Sequence, residues 1–92
     1  MFIVDFKDGK WQNPKIKPFE NLSLHPASNV LHYGQAIFEG MKAFKLQDGT
    51  PVTFRLDEHI QRINASARRL CMAEIPGDLF TQAVKMLVDL DR

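Results

Sequence analysis

Apolar and polar positions alternate at the start of the chain: Phe2, Val4 and Phe6 take one face, Ile3, Asp5 and Lys7 the other, and Asp8-Gly9 follows at once. Alternation ending in a DG dipeptide predicts a hairpin, with strands over residues 2–7 and about 10–12 and Trp11 capping the small sheet. The period is then lost. Residues 13–30 scatter Pro14, Pro18 and Pro26 among polar residues without low-complexity bias, which predicts an extended connection along the surface. The run AIFEGMKAFKL, residues 36–46, predicts a long strand, turned by Gln47-Asp48-Gly49 and answered by PVTFR, residues 51–55. Immediately afterwards the spacing becomes three and four. Ile60, Ile63, Ala67, Leu70 and Cys71 predict an amphipathic helix over residues 57–71, with Asp57 and Glu58 suited to its N-terminal end. Pro76-Gly77-Asp78 starts a second helix, whose buried stripe is Leu79, Phe80, Ala83, Val84, Leu87 and Val88. The expected fold class is α+β, a mainly antiparallel sheet with helices covering one face. The last helix reaches Asp91-Arg92 with no capping glycine or turn, so the chain reads as cut rather than finished.

Composition narrows the class. With 92 residues, 45% of them hydrophobic, the chain is long enough for one domain and too short for two. The net charge is +1, and no basic block exceeds the pair Arg68-Arg69, which reads as a solvated helix face. Neither nucleic acid nor an acidic membrane surface is therefore expected as a partner. No apolar run approaches a bilayer span, and MFIVDFKDGK lacks the features of a signal peptide. The lone Cys71 excludes an internal disulfide and, lying between Leu70 and Met72, is expected to be a buried inert thiol. The expectation is a soluble protein of a reducing compartment, the cytoplasm.

Candidate chemistry concentrates in LHYGQAIFEG, residues 31–40. Glycine weakens a strand, so Gly34 and Gly40 mark a bend or a close approach. In an extended chain Ala36, Phe38 and Gly40 share one face, presenting a single ring between small residues. Such a face suits a flat ligand, and it equally suits a helix packed closely on the sheet. Tyr33 offers a ring and a hydroxyl to a ligand, or ties down its loop. Arg55 closes a predicted strand just before a helix start, where free backbone N–H groups and the helix dipole favour an anion and a guanidinium adds a bidentate fork. The plainer alternative pairs Arg55 with Asp57 or Glu58 at the surface. Glu39, Lys42 and Lys45 read as strand-surface charges. His32 reads as a structural histidine, and neither it, His25 nor His59 has a partner at metal-ligand spacing. No metal site, catalytic Ser-His-Asp set, glycine-rich phosphate loop or paired-acid pattern can be assembled.

Taken in order, LHYGQAIFEGMKAFK, a DG turn and FRLDEHIQRINASARRLCM resemble the N-terminal part of branched-chain amino-acid aminotransferases, which are fold-type IV enzymes using pyridoxal 5'-phosphate. The likeness runs from about Leu31 to Met72 and is weaker in DFKDGKW near the start. It implies that the chain is the small N-terminal α+β domain, residues 1–92, of an enzyme whose larger C-terminal domain is absent here. It implies that Arg55, in the FR motif, binds the cofactor phosphate. Tyr33 and Phe38, in the HYG and FEG motifs, would line the pocket for a branched side chain, with Gly40 keeping the strand low beside it. The tyrosine of this family typically reaches into a neighbouring subunit's site, so a homodimer or larger assembly is implied. The implied reaction moves an amino group between leucine, isoleucine or valine and 2-oxoglutarate.

Two departures matter. Many relatives follow the FR arginine with proline, where this chain has Leu56. The lysine that holds the cofactor as a Schiff base, and the acid that pairs with its ring nitrogen, lie in the family's second domain and have no matching position here. The chain is therefore expected to hold no catalytic residue and to be inactive alone. D-amino-acid aminotransferases and aminodeoxychorismate lyases share the fold, although their strand motif usually differs from FEGMKAF. From another class, a stand-alone binding or interaction module remains open.

Overall fold

The computed structural model describes residues 1–92 and divides them into two compact units, residues 1–36 and 37–92. The class is α+β, as the patterning predicts, with the sheet delivered as two separate two-stranded antiparallel hairpins and three helices.

In the first unit, β1 (Phe2–Lys7) pairs with β2 (Lys10–Ile16) through a turn in which Asp8 and Gly9 both have positive φ, 53° and 74°. That is the twist a two-residue hairpin requires. Phe6 and Trp11 are directly opposite, with ring centroids 5.1 Å apart and planes at 59°. Strand β2 runs past the point where Pro14 was expected to stop it. The register shifts between Ile3 and Asp5, so that Asn13 and Pro14 oppose Val4 alone, and Asn13 adopts φ 54°. This is a β-bulge, which tolerates a residue with no N–H and lets the ladder resume at Lys15. A short helix, α1 (Asn29–Tyr33), interrupts the expected connection and ends on Gly34 at φ 61°. His32 Nε2 donates to the Pro26 carbonyl at 2.7 Å, the structural role expected of it.

In the second unit, β3 (Ala43–Lys45) and β4 (Pro51–Thr53) flank a turn closed by Leu46 N to Thr50 O at 2.9 Å and by Thr50 N to the Asp48 carboxylate at 2.9 Å. The amide of Thr50 holds the Asp48 carboxyl below its usual range. The expected strand over residues 36–46 is thus reduced to three residues. Its partner supplies the reason: the last pair is Ala43 with Thr53, after which β4 bends through Phe54 and Arg55 into α2 (Leu56–Arg69). Residues 36–42 have no strand to pair with.

Helix α2 buries Ile63 and Ala67 and packs against α3 (Gly77–Asp91). On α3 the predicted stripe from Leu79 to Val88 is half-buried throughout. Cys71 corrects its expectation. It is exposed, at φ 56°, because α2 ends there in a Schellman turn: Met72 N donates to Ala67 O at 2.8 Å and Cys71 N to Arg68 O at 3.2 Å. Leu70, at the same turn, is also exposed. Arg68 and Arg69 are exposed, the solvated helix face expected of them, and Arg68 pairs there with Glu74. The link between the helices is clamped by the Asn64 side chain, whose Nδ2 donates to Ile75 O at 2.8 Å and whose Oδ1 accepts from Ile75 N at 2.7 Å. A groove of about 510 Å³ separates Val52 and Leu56 from Val84 and Val88. No helix is long and apolar enough to cross a membrane.

Candidate active-site segment

Arg55 is the residue before α2 and itself takes the left-handed conformation, φ 56° and ψ 44°. A non-glycine residue there costs about 1 kcal/mol, so the position stores strain. Glu58 N and His59 N both donate to Arg55 O, at 3.1 and 3.3 Å, which leaves the Leu56 and Asp57 amides as the ones that open α2 toward the positive end of the helix dipole. The Arg55 guanidinium lies 6.0 Å from the centre of the Phe54 ring and pairs with Glu58, both side chains being more than half exposed. The surface pairing is therefore present. Because both partners are solvated, the pairing is weak and an incoming anion can displace the carboxylate.

Along the same face of α2, Arg55, His59 and Arg62 line an open groove of about 790 Å³ with Phe54 at its edge. Glu39, from the 36–42 stretch, bonds two of these residues. Its Oε1 accepts from His59 Nδ1 at 3.0 Å and from Arg62 Nη2, and its Oε2 accepts from Arg62 Nε at 2.8 Å. Because the partner is a carboxylate, Nδ1 of His59 carries the proton. The Arg62 and His59 hydrogen bonds hold the Glu39 carboxyl down at about 2, and the carboxylate in turn raises the pKa of Arg62. Glu39 was read from the sequence as a strand-surface charge, yet only 3% of its side chain is exposed. His59 and Arg62 share a helix face by their spacing of three. Their acid lies 20 and 23 residues away, and nothing local to Glu39 announces it.

Phe38 and Gly40 flank Glu39 and face outward. Phe38 is 91% exposed. At Gly40 a Cβ would meet no atom of the chain within 4 Å, and its φ is not positive, so the chain itself makes no demand for glycine there. Phe38, Gly40 and Arg55 thus belong to one unit, connected through Glu39 and α2. Tyr33 belongs to the other, where it ends α1 and is 83% exposed. No cluster of three or more His, Cys, Asp or Glu side chains is arranged to hold a metal ion. The donor set at Arg55, a guanidinium beside unbonded helix amides, fits a phosphate group.

No family model matches the chain. Its similarity to curated proteins is nonetheless end to end, and those proteins are aminotransferases. The branched-chain-amino-acid transaminase 1 of Bacillus subtilis is 42% identical over 93 residues, covering 100% of this chain and 26% of that protein. A branched-chain-amino-acid aminotransferase of Mycobacterium tuberculosis is 38% identical over 100% of the chain and 25% of its own length. A probable one from Streptomyces coelicolor is 44% identical over 99% of the chain and 25% of its own length. The chain is a homologue, along its whole length, of the branched-chain-amino-acid aminotransferases. It spans about a quarter of the length of the curated relatives it matches.

Proposed function

We propose that this chain is the small-domain part of a pyridoxal 5'-phosphate-dependent aminotransferase acting on leucine, isoleucine or valine with 2-oxoglutarate as the amino acceptor. The observation that carries the reading is the 38–44% identity to branched-chain aminotransferases across the whole chain. In this reading Arg55 and the first amides of α2 hold the cofactor phosphate, and Glu58 gives way to it. Phe38 forms one wall of the substrate pocket, and Gly40 leaves room for the branched side chain. Tyr33 contributes to the pocket of a neighbouring subunit in a homodimer or larger assembly of the cytoplasm. The cofactor supplies an electron sink for the bond changes at the substrate α-carbon. The lysine and the acid that this chemistry requires come from a second, larger domain, and this chain orients the phosphate and excludes water from one side of the pocket.

The exposure of Phe38 and Phe54 in the second unit supports a surface made to be covered, because large rings left in water forfeit the free energy of their burial. The test is a titration of the 92-residue chain with pyridoxal phosphate and, separately, with pyridoxal, each followed by borohydride reduction and peptide mapping. Weak binding that needs the phosphate, without trapping at any single lysine, is expected. Stoichiometric trapping at one lysine, Lys42 for instance, contradicts the division of labour. In any longer protein that carries this segment, L-leucine is expected to outpace D-alanine as amino donor, and the reverse order overturns the branched-chain assignment.

A further inference from the structure

Residues 36–42 carry the proposed pocket wall and have no strand partner, so something other than a ladder holds them. The burial pattern identifies what does. An ordinary surface stretch turns its acids out and its rings in. Here Phe38 is 91% exposed while the Glu39 side chain is 3% exposed. Both carboxylate oxygens of Glu39 are engaged by His59 and Arg62, the latter through a two-point fork. A fork fixes orientation as well as distance. His59 and Arg62 follow Arg55 by four and seven residues on α2, so the fork lies on the helix face that begins at Arg55.

We propose that Glu39 is a positioning residue, which fixes the wall formed by Phe38 and Gly40 to the face of α2 that starts at the phosphate anchor Arg55. The proposal rests on the pocket reading given above. Its consequence is that the side-chain wall and the phosphate anchor form one frame: a substrate resting on Phe38 is registered against a phosphate held at Arg55. Replacing the carboxylate frees the wall and leaves the anchor in place. Specificity for the branched side chain then suffers more than phosphate binding.

The test is the backbone NMR order parameters of the 92-residue chain, with the Asn64 and Ile75 region as internal reference. Glu39→Gln is expected to lower the order parameters of residues 37–42 from about 0.85 to below about 0.6 while the reference is unchanged. Arg62→Met, at a largely exposed side chain, is expected to act in the same direction more weakly. If Glu39→Gln also melts the helices, Arg62→Met decides: local loosening supports the tether, and unchanged order parameters overturn it. Equal order parameters over residues 37–42 in the wild type and both variants overturn it as well. Pyridoxal phosphate affinity is read separately, and Glu39→Gln is expected to change it by less than about threefold. Absence of any phosphate-dependent binding in the wild type rejects the pocket reading, whereas normal binding with unaltered order parameters rejects the tether alone. In a catalytically complete protein carrying this segment, the variant is expected to raise KM for L-leucine about tenfold with kcat within about threefold, and a fall in kcat at constant KM contradicts positioning of the wall.

Discussion

Within residues 37–92 two regions are held together in opposite ways. The α2–α3 pair is internally satisfied: Ile63 and Ala67 are buried, Asn64 clamps Ile75 twice, and a Schellman turn closes the helix end. The stretch over residues 37–42 has no ladder, turns its phenylalanine outward and is held by one inward glutamate. The first region is built for the chain's own stability. The second leaves Phe38 in solvent beside a glutamate that is fixed to α2. Mutations should separate the two, with stability effects large in the first and local effects in the second.

The largest expected effect is in the helical region. Asn64→Ala leaves the amide and carbonyl of Ile75 unpaired in a partly buried link, and is expected to lower unfolding stability by about 2 kcal/mol in urea titration. A loss below about 0.5 kcal/mol would show that water replaces the clamp freely. The next effect has the opposite sign. Cys71 occupies a left-handed position that glycine adopts without strain, so Cys71→Gly is expected to stabilise the chain by about 1 kcal/mol, read as a higher melting temperature.

The tethered stretch is probed by pH. The folded pKa of Glu39 lies at about 2, below its ordinary value near 4.5. A depressed acid contributes stability that is fully present above the unfolded pKa and is lost as pH falls through the folded one. The wild type should therefore melt above Glu39→Gln at neutral pH, with the gap narrowing from about pH 4.5 and closing near pH 2. A gap independent of pH in that window would mean that the charge does not matter. The smallest effect belongs to the exposed pair at the helix start. Glu58→Gln should change stability by less than about 0.5 kcal/mol, yet raise phosphate affinity two- to threefold by removing the competitor for Arg55, in rough numbers.

These contrasts also explain what the sequence could and could not convey. The helices were legible because their stripes are local: Leu79 to Val88 on α3 lie where the spacing placed them. The first hairpin was legible because Asp8-Gly9 names its own turn. Local pattern failed wherever a distant partner decided the outcome. The run from Ala36 to Leu46 alternates like a strand, but β4 turns away at Phe54 and leaves most of it unpaired. Pro14 looked like a terminator until a bulge accommodated it. Cys71 keeps the helical period two residues past Arg69, where the helix ends. For the site, the strand-to-helix junction at Arg55 and the bracketed Phe38 were visible as positions. Glu39 was not, because its partners stand 20 and 23 residues away.

The most direct test of the account compares pyridoxal phosphate binding and thermal stability in the wild-type chain and Arg55→Gly. Glycine relieves the left-handed strain at φ 56°, so the variant is expected to melt at the same temperature or higher. Its phosphate-dependent affinity is expected to fall at least about tenfold, since the guanidinium is gone. Retained affinity in the variant, or no phosphate dependence in the wild type, would contradict the assignment of Arg55 as the cofactor's phosphate anchor.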